Sequence, residues 1–200
     1  MSSPRYLCIA LLLGLITIPG HATSPGVVAA TSEAASPRVI FETSAGHFEA
    51  ELFQEEAPVT VDNFLDYVDA GFFDGLIFHR VIGNFMIQTG GYTADMRLRQ
   101  PKANIINESV GGPSNRRGTL AMARQDYPHS ANAQFFINVR DNERLDAQRS
   151  RPGYAVFGRV VSGMDVVDAI SVVPTGVRDR MGDVPLQDVV IHQVRRADPG

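Results

Sequence analysis

Cysteine is nearly missing from this chain: Cys8 is the one thiol in 200 residues. A single thiol forms no internal disulfide and supplies no thiolate cluster to a metal. Histidine is sparse as well, and His47, His79, His129 and His192 show no paired ligand spacing, so a structural role is the reading for each and no metal is expected. Basic residues are dispersed, mostly arginine, and the net charge is -4. That pattern forms no basic stripe and argues against a nucleic-acid partner. The chain also lacks a nucleophile elbow, a phosphate loop and a deaminase signature. It shows no internal repeat, and no apolar run is long enough to span a bilayer comfortably.

The longest apolar run, residues 6–18, follows Arg5 and stops at Pro19-Gly20, a pair that breaks a helix. Gly20-His21-Ala22 then sets small residues where a signal peptidase reads them. Residues 1–22 are therefore expected to be a cleaved signal peptide, leaving no stable membrane insertion. Cys8 sits too early in the run to be a lipoprotein cysteine, and its removal leaves a mature chain without thiols, suited to an oxidising compartment such as a bacterial periplasm. Residues 23–37, rich in Ala, Ser, Thr, Pro and Gly, read as a flexible linker. The remainder, 38–196, suits one domain with a proper core, expected to act as a monomer.

Within that domain short strands dominate. Residues 39–43 and 48–53 flank a Gly-containing connection and read as an opening hairpin. Pro58 opens a helical stretch over 58–70, with Val61, Phe64, Leu65 and Val68 at helical spacing and Gly71 as its stop. A shorter helix is predicted over 162–170, capped by Ser162, with Met164, Val167, Ala169 and Ile170 toward the core. Residues 78–82, 85–89, 119–123, 134–139, 155–161 and 189–194 are β-branched or aromatic and bounded by turn formers, so they read as strands. Pattern alone leaves barrel and sandwich both open.

Four of these runs carry the chemistry. They are Phe78-His79-Arg80-Val81-Ile82-Gly83-Asn84-Phe85-Met86-Ile87-Gln88-Thr89-Gly90-Gly91, then Gly118-Thr119-Leu120-Ala121-Met122-Ala123, then Gln134-Phe135-Phe136-Ile137-Asn138, then Tyr154-Ala155-Val156-Phe157-Gly158. In that order they resemble the cyclophilin family of peptidyl-prolyl cis/trans isomerases. Arg124 after Met122-Ala123, where eukaryotic members usually carry asparagine, is similar to the bacterial exported type. The resemblance implies a mainly β fold, a closed eight-stranded antiparallel barrel capped by two α-helices. A barrel packed with its own side chains would bind its ligand outside. It also implies cofactor-free rotation about Xaa-Pro bonds in unfolded or partly folded exported polypeptides.

By the same resemblance, Arg80 is the catalytic cation, and Gln88 and Gln134 supply neutral hydrogen bonds to the peptide backbone and help orient Arg80. Phe85, Met86, Phe136 and Leu145 would enclose the proline ring, Ala123 would leave room for the residue before it, and Tyr154 would offer a hydroxyl. Taken singly, the residues have plainer explanations. Phe85, Met86 and Phe136 are the kind of side chain that fills cores, and Gln88 and Gln134 can close backbone gaps. Arg80 is harder to place that way, because a cation inside an apolar strand needs a partner or an open surface.

Three departures stand out from the family pattern. Arg144 precedes Leu145-Asp146 where an aromatic is usual, which weakens the expectation of cyclosporin binding. Gly83-Asn84 replace Pro-Gly, and Thr89 replaces a glycine. The functional alternatives are a peptide-binding or chaperone module without turnover and, further off, a lipocalin-like carrier of small ligands.

Overall fold

The computed structural model describes residues 36–149 and 151–198. The expected leader, 1–22, and most of the expected linker lie outside the described residues.

The opening hairpin is present. Strand β1 (Arg38–Thr43) runs into β2 (Gly46–Leu52) through Ser44-Ala45, with Thr43 opposite Gly46. Phe41 and Phe48 face each other across it with ring centroids 4.5 Å apart. Helix α1 (Pro58–Asp69) follows, with Pro58 in its first turn and Val61, Phe64, Leu65 and Val68 all buried as the spacing predicts. Its N-terminal cap comes from outside the helix: Val59 N, Thr60 N and Thr60 Oγ1 donate to the Glu108 carboxylate. An anion there satisfies otherwise orphaned amides and complements the helix dipole.

The remaining strands are β3 (Arg80–Ile82), β4 (Met86–Thr89), β5 (Thr119–Met122), β6 (Phe135–Asn138), β7 (Val156–Ser162), β8 (Thr175–Arg178), β9 (Met181–Pro185) and β10 (Ile191–Arg196). Helix α2 (Met164–Ser171) lies between β7 and β8. It begins after Gly163, in the left-handed region at φ 77, whereas Ser162 ends β7 and does not cap the helix. Val167 and Ile170 are buried and Met164 packs against the core, but Ala169 is exposed, contrary to the helical reading.

Eight strands form one antiparallel sheet in the order β10-β1-β2-β7-β5-β6-β4-β3. The expected closed barrel is a curled but open sheet, because its end strands β3 and β10 do not pair as a ladder. The residues just before each end strand make a single bridge, Ile77 to Val190, flanked by hydrogen bonds from Phe78 N to Val189 O and from Ile191 N to Leu76 O. β8 and β9 form a separate hairpin that the sequence reading did not foresee. Their turn residues, Asp179 and Arg180, have φ values of 49 and 66 without a glycine, so the usual sequence signal for such a turn is missing.

Inside the curl, Phe64 packs against Phe41, Phe73, Phe135 and Phe157 with centroids 5.1 to 6.3 Å apart. Among the described residues the interior is filled with interlocking rings, which argues against the lipocalin-like alternative and for a site on the outer face.

Candidate active site

Strand alternation builds the site. On β3, Val81 enters the core while Arg80 and Ile82 point the other way; on β4, Ile87 is core and Met86 belongs to a separate apolar cluster on the opposite face. Register then lines these outward residues up. Arg80 pairs with Gln88, Gln88 with Phe136, Phe136 with Ala121, and Ala121 with Val156, a row crossing five strands. A slip of one residue in any pair would turn its members into the core.

Over this row lies a cavity of about 190 Å³ lined by Arg80, Phe85, Met86, Gln88, Ala123, Arg124, Phe136, Leu145 and Tyr154. It falls below the range of roughly 300–1,000 Å³ typical of larger ligands and suits one small ring. Met86 and Phe136 form its floor and are buried, at 2% and 4% exposure. Phe85, Leu145 and Tyr154 pack on that floor from the rim, and the Tyr154 ring meets Phe136 edge-on at 5.6 Å. Of the expected site residues, Gln134 alone lies outside this cavity. It lines a neighbouring cavity of about 180 Å³ that shares Gln88, Ala123 and Arg124 with the first.

Gln88 Nε2 donates to Gln134 Oε1 at 3.0 Å, joining the two amides across the boundary between the cavities. The Gln134 side chain lies against Gly91, where an added Cβ would come within 2.7 Å of it. Gly90, at φ 86, brings the backbone so close to Ala133 O that a Cβ would meet it at 2.4 Å. These glycines therefore shape the site as well as the turn.

Arg80 is 43% exposed at the cavity edge, and its ion-pair partner is Asp183, with Nε 3.7 Å from Oδ2. The sequence reading had the two glutamines helping to orient Arg80. Gln88 instead donates to Gln134, and a carboxylate from β9 meets the guanidinium. Beside Arg80, His79 turns into the interior at 1% exposure, with its ring 4.8 Å from Tyr92 and its Nδ1 without a hydrogen-bond partner. Burial pushes its imidazole down to about 4, aided by the Arg80 charge and opposed by Gln134 and the Ile77 backbone. At neutral pH it is uncharged.

Arg124 is the cavity residue that the sequence reading did not include among its site residues. It donates from Nε to Gly153 O, from Nη2 to Pro152 O and from Nη1 to Gln125 O, and its guanidinium lies 4.8 Å from the Tyr154 ring centroid. Backbone carbonyls and a π face thus hold the cation rigidly as a wall between the two cavities. Its departure from the usual asparagine was the signal available.

A buried amide network supports the rim. Asn142 Nδ2 donates to Phe85 O and to Asn138 Oδ1, and Asn138 Nδ2 donates to Thr119 Oγ1 and Asn115 Oδ1. Leu145 sits in the following 3-10 turn, Glu143–Leu145, and its carbonyl accepts from Tyr154 N. Burial opposes the charge of Asp146, but hydrogen bonds from Ser114 Oγ and from Asn115 N and Nδ2 outweigh it and hold the carboxyl below its ordinary range. Asn84 takes the left-handed conformation, φ 56, that a glycine would take, and Phe85 N closes the turn onto Ile82 O. Thr89 Oγ1 donates to Ile77 O, so both loop departures are accommodated. Arg144 is exposed, beside a larger groove of about 670 Å³ shared with Arg140, Asp141 and Glu143. Among the described residues, no group of three or more His, Cys, Asp or Glu is placed to hold a metal ion.

The family described as "Cyclophilin type peptidyl-prolyl cis-trans isomerase/CLD" matches residues 38–196. A peptidyl-prolyl cis-trans isomerase of Streptomyces antibioticus is 54% identical over 160 residues, covering 78% of this chain and 96% of the relative. One from Acinetobacter baylyi is 46% identical over 187 residues, 94% of each chain. A cyclophilin type isomerase structure from Cryptosporidium parvum superimposes with a TM-score of 0.68 at 23% identity, covering 82% of this chain and 99% of that one; a related structure, solved in the presence of the dipeptide Ala-Pro, gives 0.67 at 24%. With a match that runs the full length of the folded domain, the chain belongs to the cyclophilin family and is a peptidyl-prolyl cis-trans isomerase.

Proposed function

We propose that turnover takes place in the cavity over the cross-strand row, with Arg80 as the catalytic cation. The observation that carries this reading is the alignment of Arg80, Gln88 and Phe136 on one outward face of adjacent strands, at the edge of a ring-sized apolar hollow.

The Xaa-Pro bond resists rotation through its partial double-bond character, with a barrier of about 18–20 kcal/mol. No covalent bond has to break. In the planar amide the prolyl nitrogen lone pair is delocalised, whereas in the twisted amide it is localised and accepts a hydrogen bond. Arg80, permanently protonated, donates more strongly to the twisted form and so lowers the barrier. A charge-assisted hydrogen bond contributes about 1.5–3 kcal/mol, equivalent to about ten- to a hundredfold in rate. Phe85, Met86, Phe136 and Leu145 hold the proline ring away from water, Gln88 and Gln134 bind the peptide backbone, Ala123 leaves space for the preceding residue, and Tyr154 adds a hydroxyl at the rim. The structural relative solved in the presence of Ala-Pro supports a ligand of this size.

The clients of this reading are proline-containing exported polypeptides, isomerised in the periplasm by a chain freed of residues 1–22. The apolar run after Arg5 and the thiol-free remainder support that placement. Cis/trans exchange of an Ala-Pro peptide, followed by NMR with wild type and Arg80→Ala, tests the site. Strong acceleration, lost in a folded variant, supports it; peptide binding without acceleration favours the binding-module alternative. Cell fractionation followed by mass spectrometry tests the location and the cleavage: recovery from the cytoplasm alone would refute the first, and a retained Met1 would refute the second.

A further inference from the structure

We infer that Asp183 is a positioning residue for Arg80, delivered to the site by the β8–β9 hairpin; this rests on the catalytic reading of Arg80 above.

β3 is an end strand of the sheet, and β9 packs beside it. The hairpin is itself anchored at several points. Val184 is buried at 1% exposure, Arg178 Nη2 donates to Asp188 Oδ1 at 2.6 Å, and Leu186 N donates to Pro174 O. A carboxylate next to Val184 is therefore presented by a fixed scaffold. Asp183 also adopts φ 62, a backbone region that non-glycine residues enter only where their surroundings demand it and that concentrates at functional sites.

The geometry of the pair matters more than its strength. Asp183 approaches Nε of Arg80, leaving the two terminal nitrogens of the fork for substrate. With side chains 43% and 48% exposed, the pair adds little to folding. Its effect falls on the rotamers of Arg80, a long side chain at a cavity edge that would otherwise sample many orientations. A group that narrows the orientation of the catalytic donor raises kcat without binding substrate.

Asp183→Asn removes the charge while keeping a residue that tolerates positive φ. We expect kcat for Ala-Pro exchange to fall about three- to fivefold with KM nearly unchanged, an unaltered melting temperature, and partial recovery in Asp183→Glu. Wild-type kcat should also decline toward the variant's as salt rises to about 1 M, where the screening length is about 3 Å, while the variant stays flat. That titration needs no substitution in the wild type. In an Arg80→Ala background, Asp183→Asn should change nothing further. Wild-type kcat in Asp183→Asn, a raised kcat, or a loss that tracks melting temperature would overturn the inference. Turnover that survives Arg80→Ala would instead overturn the catalytic reading on which it rests.

Discussion

Acid should destabilise this protein through one histidine before its carboxylates respond. His79 is buried at 1% exposure and its imidazole is pushed from 6.5 down to about 4, chiefly by burial. Between those values the unfolded chain takes up a proton that the folded chain refuses, so stability is fully present above about pH 6.5 and is lost as pH falls toward 4. At about 1.4 kcal/mol per pH unit, the interval amounts to about 3 kcal/mol, a large share of a typical folding free energy of about 5–15 kcal/mol. The carboxyls of Asp69, Asp95, Asp146 and Asp168 are held below their ordinary value of 3.8, so their contributions are lost mainly below pH 4, beneath most of the window of the histidine. Urea unfolding of wild type and His79→Gln at intervals from pH 7.5 to 4 measures the effect, and NMR of the His79 ring locates the titration. Whatever the substitution costs at neutral pH, the wild type should lose about 3 kcal/mol more than the variant on acidification. Parallel curves, or a His79 titration near 6.5, would refute the reasoning.

Since Arg80 keeps its proton and His79 is neutral above about 6, the isomerase rate should be nearly flat from pH 6 to 8; a bell-shaped profile would point to acid-base chemistry. Gly91→Ala should push the Gln134 side chain aside and weaken its bond to Gln88, lowering kcat/KM about two- to tenfold with little change in melting temperature, because a mobile side chain gives way rather than backbone. Unchanged exchange rates in that variant would show that the glutamine pair is dispensable. Cyclosporin should bind poorly, since exposed Arg144, next to Leu145 of the cavity, stands where the family usually carries an aromatic; calorimetry giving nanomolar affinity would contradict this.

The candidate site was legible through the resemblance, which names Arg80, Gln88, Phe85, Met86, Phe136 and Leu145 from four motifs in order; which of them share a face appeared only with the strand register. The helix was legible by itself, since Val61, Phe64, Leu65 and Val68 mark one stripe. A short polar residue is a poor guide where a neighbouring element decides the outcome. Ser162 looked like a helix cap, yet the chain continues as strand to that residue and turns at Gly163, whose missing Cβ avoids the backbone of His47 and Phe48. The hairpin carrying Asp183 was hidden because Asp179 and Arg180 occupy conformations normally marked by glycine.

The sequence by itself determined the opening hairpin, the buried stripe of Val61, Phe64, Leu65 and Val68 on α1 and the short strands, since each follows from periodicity over a few residues, while the site residues came from the order of four motifs that resemble one family. Tertiary structure alone decided that the sheet stays open between β3 and β10, that the two glutamines bond to each other, and that a carboxylate from β9 meets Arg80. Those outcomes depend on register and on the approach of segments far apart in the chain, where the energy of one contact is set by the packing of every element that brings it together.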